Sequence, residues 1–449
     1  MIVKIKPQHL VVVVAAAALL GGLGQSLILA GRAAPAMVPP ARPPGDLIVQ
    51  AGGRDSGAVR SHEPDLKRWE MLYEVIDNID KHFVRSKVDQ KELTYGAVRG
   101  MLRSLNDKYT RFLTPEEYDD FRVKNEGEFF GIGAQIFTED DPKTGDEVLV
   151  IVPIEGNPAE KAGLKSGDWV LKIDGKSTRN MSVQAAVALI RGQRGTKVTV
   201  SIQRKPAKAG EPPIHKEVAV ERDLIQIPAV ESKLLEDGIA WIALKDFNEK
   251  ADRELDKAFQ QLKGKGMNGM ILDLRNDPGG LLEVAISVAS RFVKSGPVVR
   301  TEGRSGNEDH LAEADKFWNL KVPLVVLVNQ YSASASEIVA GVIQDKKLGK
   351  VVGVPSYGKA SVQLLVKLKN GGALAITTAR YLTPSGRDLS EKGVVPDVVV
   401  PEAARQPTDT ERKDTQLDKA VDVLRQEIAK AGGKTTTTSA VSPPIRLAL

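Results

Sequence analysis

The apolar and polar positions follow different periods along the chain. Between residues 64 and 125, apolar side chains recur at steps of three and four, which predicts helices; examples are Trp69, Leu72, Ile76 and Ile79. From 126 to 206 the apolar runs are short and strand-like around one predicted helix, which indicates a small β domain. From 207 to 402 predicted strands and helices alternate, which is typical of an α/β fold with a largely parallel sheet. A last amphipathic helix is predicted within 403–430.

Both ends of the chain differ in composition from this central part. Two lysines precede an apolar run from Leu10 to Ala30, and Ala34-Pro35-Ala36 fits a cleavage site, so residues 1–36 are predicted to be a signal peptide. The alternative is an uncleaved anchor, since the apolar run is long enough to cross a bilayer. Both interpretations predict an exported protein that is periplasmic, held at the outer face of the inner membrane, or secreted. Residues 37–63 are rich in proline and glycine and predict a disordered linker, and 431–449 predict a flexible tail.

The composition excludes several kinds of chemistry. The chain has no cysteine, so it has neither disulfides nor a cysteine nucleophile. No two of its five histidines have the spacing of a zinc-peptidase motif, so we expect no metal site of that kind. Sixty-three basic and 58 acidic residues leave a net charge of only +5 on 449 residues. Nucleic acid is therefore not an expected partner, because nucleic-acid binding usually needs a concentrated basic face.

Two predicted strands end in unusual turns that lead into helices. One turn runs from Asp273 to Gly280 and the other from Asn329 to Glu337. Each places backbone N–H groups at a helix N-terminus, where negative charge is stabilised, so a serine there could be a nucleophile beside an oxyanion site. Ser334 and Glu337 also form the S-x-x-E pattern of a capping box, so a purely structural role for Ser334 stays open at this point.

A lysine in a glycine turn offers a possible general base. Residues 353–360 match a phosphate-binding loop up to Lys359, but Ala360 stands where that loop needs serine or threonine. A two-residue alternation follows where a helix would be required, so a nucleotide site is not favoured. A buried lysine beside a serine can act as a general base, as in Ser–Lys variants of the catalytic triad. The alternative is a solvated turn lysine.

Several short motifs occur in a specific order: Leu113 to Tyr118, Gly127 to Ala134, Pro158 to Asp168, Asp273 to Gly280, Ser332 to Glu337, Tyr357 to Gln363, Ala379 to Gly386 and Gly393 to Asp397. Through this ordered set, residues 64–425 resemble the carboxy-terminal processing (tail-specific) serine peptidases. The resemblance implies a multidomain α+β and α/β architecture. Its parts are an N-terminal helical segment (64–125), a PDZ domain (126–206), a crotonase-like peptidase core of ββα repeats (207–402) and a C-terminal helical segment (403–430).

The same resemblance implies the catalytic roles. Ser334 would be the nucleophile, Lys359 the general base and Gln363 the residue that orients the lysine by a hydrogen bond. The oxyanion hole would be formed by the backbone N–H groups of Ala335 and of Gly279 or Gly280. The implied mechanism requires no metal and no other cofactor.

Two positions depart from the pattern of these peptidases. Ala360 stands where glycine is usual after the lysine, and alanine would strain the turn if that residue needs a positive φ. Asp277 stands where asparagine is usual in the glycine turn. We expect activity to survive both changes. The alternative function is a catalytically silent, PDZ-containing scaffold that binds peptides.

The PDZ resemblance also implies a recognition site. Backbone N–H groups of the segment from Phe130 to Ala134 would bind a terminal carboxylate while the substrate adds as a strand to the domain edge. The residues predicted to bind the substrate tail are Phe129, Phe130, Gly131, Ile132, Gly133, Ala134, Val187 and Ile190. Alternatively, some of these side chains are simply the core of a small β domain. Arg191, at the predicted helix end, is a candidate regulatory relay.

These interpretations predict the partners of the chain. They are protein or peptide substrates with apolar C-termini, and an adaptor or activating protein is a further possibility. The helices of residues 64–125 and the C-terminal helix are predicted to build a homodimer through exposed apolar faces. Membrane contact is expected only through the N-terminal segment.

Overall fold

The computed structural model describes residues 47–50, 66–85, 87–141, 144–206, 211–402 and 414–432. The predicted signal or anchor segment lies outside these residues, as do most of the predicted linker and nearly all of the predicted tail. Strand β1 (Leu47–Gln50) falls inside the segment predicted to be a disordered linker. These four residues instead pair with a strand of the core. Among the described residues, no helix combines the length and the hydrophobicity needed to span a membrane.

The N-terminal region is mainly helical, as predicted, but it also supplies one strand to the core. Its elements are α1 (Leu66–His82), α2 (Gln90–Arg103), β2 (Arg111–Leu113) and α3 (Pro115–Glu126). The capping box at the start of α3 is formed by Thr114 and Glu117. The helical prediction missed β2, whose three residues pair antiparallel with a core strand and bury Phe112 and Leu113. The region is therefore joined to the core by backbone hydrogen bonds.

The predicted PDZ domain is present and extends further along the chain than expected. Its elements are β3 (Glu128–Gly131), β4 (Ala134–Asp140), β5 (Glu147–Pro153), α4 (Pro158–Lys161), β6 (Asp168–Ile173), β7 (Lys176–Ser177), α5 (Val183–Ile190), β8 (Lys197–Arg204), β9 (Ile214–Glu221) and β10 (Asp223–Gln226). The sheet runs in the order β4-β5-β6-β8-β9, with β4 at an edge, and β3 pairs separately with β10.

The sheet of the PDZ domain continues past residue 206, where the sequence predicted the domain to end. Strand β9 pairs antiparallel with β8 along its whole length, so the sheet of the PDZ domain includes β9. Only Val218 and Val220 of β9 are buried, because the strand lies at a sheet edge and its other residues are exposed. Three of its apolar residues, Val218, Ala219 and Val220, are consecutive and follow four exposed residues, so the strand shows little of the alternation that reveals strands in a sequence.

The peptidase core is built from two six-stranded sheets and their helices. Its elements are β11 (Val230–Leu234), β12 (Ile239–Leu244), α6 (Ala251–Gly264), β13 (Gly269–Asp273), α7 (Leu282–Ser290), β14 (Pro297–Gly303), β15 (Gly306–Leu311), β16 (Leu324–Val328), α8 (Ala335–Asp345), β17 (Lys350–Gly353), β18 (Ser361–Lys367), β19 (Ala373–Leu382), β20 (Val398–Val399) and α9 (Thr415–Lys430). The first sheet, β11-β12-β13-β16-β17-β20, is parallel except for β11, as the alternation of strands and helices predicts.

The second sheet was not expected as a separate unit. It runs β1-β18-β19-β14-β15, with β2 also on β19, and its pairs are antiparallel except for β1 with β18. Helices α6, α7 and α8 pack in the main apolar core between the two sheets. Helix α9, the predicted amphipathic helix, covers the other face of the parallel sheet with buried Leu417, Ala420 and Leu424. This layering places the ends of β13 and β16, and the turns that follow them, side by side.

Candidate active site

Ser334 lies between the end of β16 and the first turn of α8. Its backbone has φ 58° and ψ −112°, a combination that an L-residue adopts only when the surrounding structure imposes it. Its backbone N–H donates a hydrogen bond to the Glu337 carboxylate at 2.8 Å, and its carbonyl oxygen accepts from the Glu337 N–H at 2.9 Å. The Oγ atom is buried and has no hydrogen-bond partner. The helix cap thus leaves the hydroxyl uncommitted, which favours the nucleophile interpretation.

Glu337 joins the serine turn to the lysine turn. One carboxylate oxygen accepts from the Ser356 hydroxyl at 2.6 Å and from the Gly358 N–H at 2.7 Å. The other accepts from the backbone N–H groups of Ser334 and Lys359, at 2.8 Å and 2.9 Å. Burial raises the pKa of this carboxyl, and the hydrogen bonds oppose that effect. The sequence indicated only a helix cap, because the donors from the lysine turn lie about 20 residues away along the chain.

Tyr381, on β19, makes a second link between the same two turns. Its buried hydroxyl donates to the Lys359 carbonyl oxygen at 2.5 Å and approaches the Ser334 carbonyl oxygen at 3.1 Å. The backbone of the lysine turn also donates directly to the serine run, from the Tyr357 N–H to the Ser332 carbonyl at 3.0 Å. Several independent hydrogen bonds therefore hold the two turns together.

Lys359 is fully buried, so the interpretation as a solvated turn lysine is wrong. Its Nζ lies 4.9 Å from the centre of the Tyr109 ring. Tyr109 comes from the N-terminal region, just before β2, and its own hydroxyl is buried without a hydrogen-bond partner. The Nζ of Lys108 also lies 4.9 Å from this ring. The sequence contains no signal for this contact, because Tyr109 and Lys359 lie far apart along the chain.

Two further residues of the lysine segment can be compared with expectation. Ala360 does not have a positive φ, so alanine causes no strain there; the left-handed position of this turn is Gly358, with φ 83°. Gln363, on β18, is buried, and its Nε2 donates to the Ser361 hydroxyl at 3.0 Å and approaches the Thr377 hydroxyl at 3.4 Å. Its Oε1 is buried without a hydrogen-bond partner, so the predicted hydrogen bond to Lys359 is not formed in this structure.

The glycine turn packs directly against the serine turn. Gly279 has φ 96°, and a Cβ on it would lie 2.8 Å from both the Ser334 Cβ and the Ala335 nitrogen. Gly280 instead faces another segment, since a Cβ there would lie 2.5 Å from the Phe247 carbonyl oxygen. Only glycine allows this close approach. Of the two candidate oxyanion glycines, Gly279 is therefore the one beside Ser334 and Ala335.

The predicted tail-binding residues divide into two groups. Phe129, Ile132, Gly133, Ala134, Val187 and Ile190 line one small pocket between α5 and β4, together with Ile136 and Arg191. Phe130 is 46% exposed and does not line it, because neighbouring residues on β3 point to opposite faces and Phe129 takes the inner one. Gly131 lies outside the pocket too. Ile132, Ala134 and Ile190 also belong to the buried core of the domain, as the alternative interpretation required.

Arg191, at the end of α5, forms an ion pair with Asp120 on α3. Its guanidinium also lies 5.4 Å from the centre of the Phe129 ring. The pocket wall is thereby connected to the helix that precedes the PDZ domain, which is compatible with the predicted relay but does not test it.

Comparison with known proteins supplies the context for this geometry. A model of peptidase family S41 matches residues 238–400, a PDZ model matches 149–204, and a model of the CtpB N-terminal domain, described as that of an activating protease, matches 50–117. A carboxyl-terminal-processing protease of Picosynechococcus sp. is 36% identical over 86% of this chain and 90% of its own length. The chain belongs to the carboxyl-terminal processing protease family.

Other members of this family of serine peptidases are similarly close. The carboxy-terminal-processing protease of Bartonella bacilliformis is 37% identical over 79% of both chains. A solved structure of a photosystem II D1 C-terminal processing protease is 30% identical, with 80% of this chain and 98% of that chain covered and a TM-score of 0.44. The PDZ and S41 family models confirm the PDZ domain and the peptidase core of the predicted architecture.

The structure thus brings most of the predicted catalytic residues of this processing protease together. The turn at Gly279 packs against Ser334 and Ala335. The turn of Lys359 is held beside them by hydrogen bonds to Glu337 and Tyr381. Among the described residues, no group of three or more histidine and acidic side chains is placed to hold a metal ion.

Proposed function

We propose that the chain is an exported serine endopeptidase that cleaves with a Ser334–Lys359 dyad and recognises the C-terminal tails of its substrates through the PDZ domain. One observation supports the dyad most directly. The backbone N–H groups of Ser334 and of the buried Lys359 both donate to the Glu337 carboxylate, and the Ser334 hydroxyl has no hydrogen-bond partner. Withdrawal of an ammonium group from water favours its neutral form, which can accept a proton. Export rests on the N-terminal sequence.

The reaction follows from these positions. As Ser334 Oγ attacks the scissile carbonyl carbon, Lys359 Nζ takes the hydroxyl proton and then gives it to the leaving amine. The negative charge that develops on the carbonyl oxygen is stabilised by backbone N–H groups of Ala335 and Gly279. A water molecule, deprotonated by Lys359, then hydrolyses the acyl-enzyme and frees Ser334. Gln363 is the candidate to orient the lysine once substrate has bound.

Tail recognition is supported by the edge of the PDZ sheet. Strand β4 has a free edge within the described sheet, and α5 lies beside it, so an extended substrate tail can add there as a further strand. In this proposal, backbone N–H groups of the segment from Phe130 to Ala134 bind the terminal carboxylate. The adjoining pocket is lined by aliphatic and aromatic side chains with one cation, Arg191, so we propose that an apolar last residue is preferred.

The test uses the chain from residue 37 onward and an unfolded substrate made with either an apolar or a charged C-terminus. Mass spectrometry identifies the products. We expect cleavage of the apolar-tailed substrate to be faster, and to be lost in both Ser334→Ala and Lys359→Ala. An inactive wild-type chain, or cleavage that survives Ser334→Ala, would refute the proposed catalytic site, and inactivity would favour the peptide-binding scaffold.

Tail recognition has its own matched pair of variants on α5. Val187 lines the pocket, whereas Ala188 is exposed on the same helix. Val187→Asp should remove the preference for apolar tails, because it places a carboxylate beside the terminal carboxylate of the substrate. Ala188→Asp should keep the preference. If both variants keep the wild-type ratio of rates on the two substrates, this pocket does not read the tail.

A further inference from the structure

One of the two candidate oxyanion donors is already engaged inside the protein. The Gly279 N–H donates to Oδ1 of Asp277 at 2.8 Å. Asp277 is fully buried, and its second carboxyl oxygen, Oδ2, has no hydrogen-bond partner. This residue stands where the pattern of the related peptidases has asparagine, whose side-chain oxygen is a neutral acceptor.

A second acid and one base form the electrostatic surroundings of Asp277. Asp246, in the turn after β12, has a buried Oδ1 without a hydrogen-bond partner, and its Oδ2 lies 3.5 Å from Lys124 Nζ. Burial and then the charge of Asp246 raise the pKa of Asp277 well above its ordinary value, while the Gly279 N–H and the charge of Lys124 act in the opposite direction. Ser336 donates a hydrogen bond to the Asp277 carbonyl oxygen.

The same segment is joined by its backbone to the glycine turn. The Phe247 N–H donates to the Gly279 carbonyl at 3.2 Å, and the Leu281 N–H donates to the Phe247 carbonyl at 2.9 Å. Lys124 lies on α3, three residues before the glycine that leads into the PDZ domain. Asp246 therefore contacts α3, which leads into the PDZ domain, and belongs to the segment that is hydrogen-bonded to the turn of the predicted oxyanion donor.

We propose that Asp277 is a positioning residue of the reaction: its carboxylate withholds the Gly279 N–H from the substrate, its neutral form releases that N–H, and Asp246 with Lys124 sets which form is present. The inference rests on the proposed function, which gives Gly279 its oxyanion role. A carboxylate is a stronger acceptor than a neutral carboxyl group. Its negative charge would also oppose the oxyanion that forms beside it.

The sign of the pH dependence follows directly. The neutral, active form of Asp277 persists to higher pH than for an ordinary aspartate, and its contribution is lost as the pH rises through its pKa. Asp277→Asn keeps an acceptor for the Gly279 N–H but cannot ionise. The experiment is kcat/KM of Asp277→Asn divided by that of wild type, from pH 5 to pH 9. Effects of Lys359 largely cancel in this ratio.

We expect a ratio that is constant at low pH and then rises, by up to about tenfold per pH unit as a one-proton requirement allows. A ratio that is flat across the range overturns the inference. Asp246→Asn removes the like charge that, in addition to burial, raises the pKa of Asp277. In a chain that keeps Asp277, the fall of kcat/KM with rising pH should therefore begin at a lower pH than in wild type. In a chain that carries Asp277→Asn, adding Asp246→Asn should leave the pH profile of kcat/KM unchanged. A shift of equal size in both backgrounds would also overturn it.

A second readout separates this inference from the proposed function. The Gly279 amide resonance is followed by NMR against pH in Ser334→Ala, with Asp277→Asn/Ser334→Ala as the assignment and reference variant. We expect the resonance to titrate only when Asp277 is present. Absence of cleavage by wild type would refute the proposed function without testing this inference. A Gly279 amide resonance that does not titrate in Ser334→Ala would overturn this inference whether or not wild type cleaves.

Discussion

The backbone strain at Ser334 can be measured without any activity assay. Ser334→Ala and Ser334→Gly both remove the hydroxyl, but only glycine relieves a backbone held at φ 58° and ψ −112°. Such strain is on the order of 1–3 kcal/mol. The extra freedom of glycine in the unfolded chain offsets about 0.4–1 kcal/mol of that relief. We therefore expect Ser334→Gly to be more stable than Ser334→Ala by about 1 kcal/mol, which corresponds to about 2–4 °C in Tm for a unit of this size.

The assay is thermal unfolding of both variants, with Ser332 as the internal control. Ser332 lies two residues earlier, is equally buried and does not have a positive φ. Its hydroxyl donates to the Leu274 carbonyl at 2.8 Å, and both Ser332→Ala and Ser332→Gly lose that bond. There glycine should be less stable than alanine by about 0.5–1 kcal/mol. If glycine is the less stable substitution at both positions, the serine turn is not strained in solution and the argument fails.

Three further predictions concern the residues around this turn. Gly279→Ala should lower kcat by about a hundredfold or more, because the new Cβ displaces an oxyanion donor. The control is Gly386→Ala: Gly386 also has a positive φ, 83°, but nothing lies within 4 Å of the new Cβ, so this variant should lower only the stability. Tyr109→Phe should raise stability by about 1 kcal/mol, since it deletes a buried hydroxyl without a partner and keeps the ring beside Lys359; a lower Tm would contradict this. Glu337→Gln should lower both Tm and kcat/KM, because an amide cannot accept all the hydrogen bonds made to the carboxylate. Each donor left without an acceptor costs about 1–3 kcal/mol. An unchanged Tm would show that the carboxylate is dispensable.

Local patterns in the sequence were sufficient for much of the architecture. The capping box at Thr114 and the apolar face of α9 depend on residues within a few positions of each other, so both could be predicted. The ordered motifs identified the family and singled out Ser334 and Lys359, because turns that carry chemistry have recognisable residue types. Edge strands such as β9 were missed, since few of their residues are buried.

What the sequence by itself determined is the helices and the parallel core strands, the family, and the candidate nucleophile and base. Only the tertiary structure decided which distant residues meet them. Glu337 holds the serine and lysine turns together, and Tyr109 reaches Lys359 from the N-terminal region. Asp277 engages the Gly279 N–H beside the nucleophile, and Asp246 is tied to α3 through Lys124. The periodicity of apolar residues cannot predict such contacts, because it relates only neighbours within one helix or strand. Which distant turns meet around one buried charged group is decided by how the sheets and helices pack.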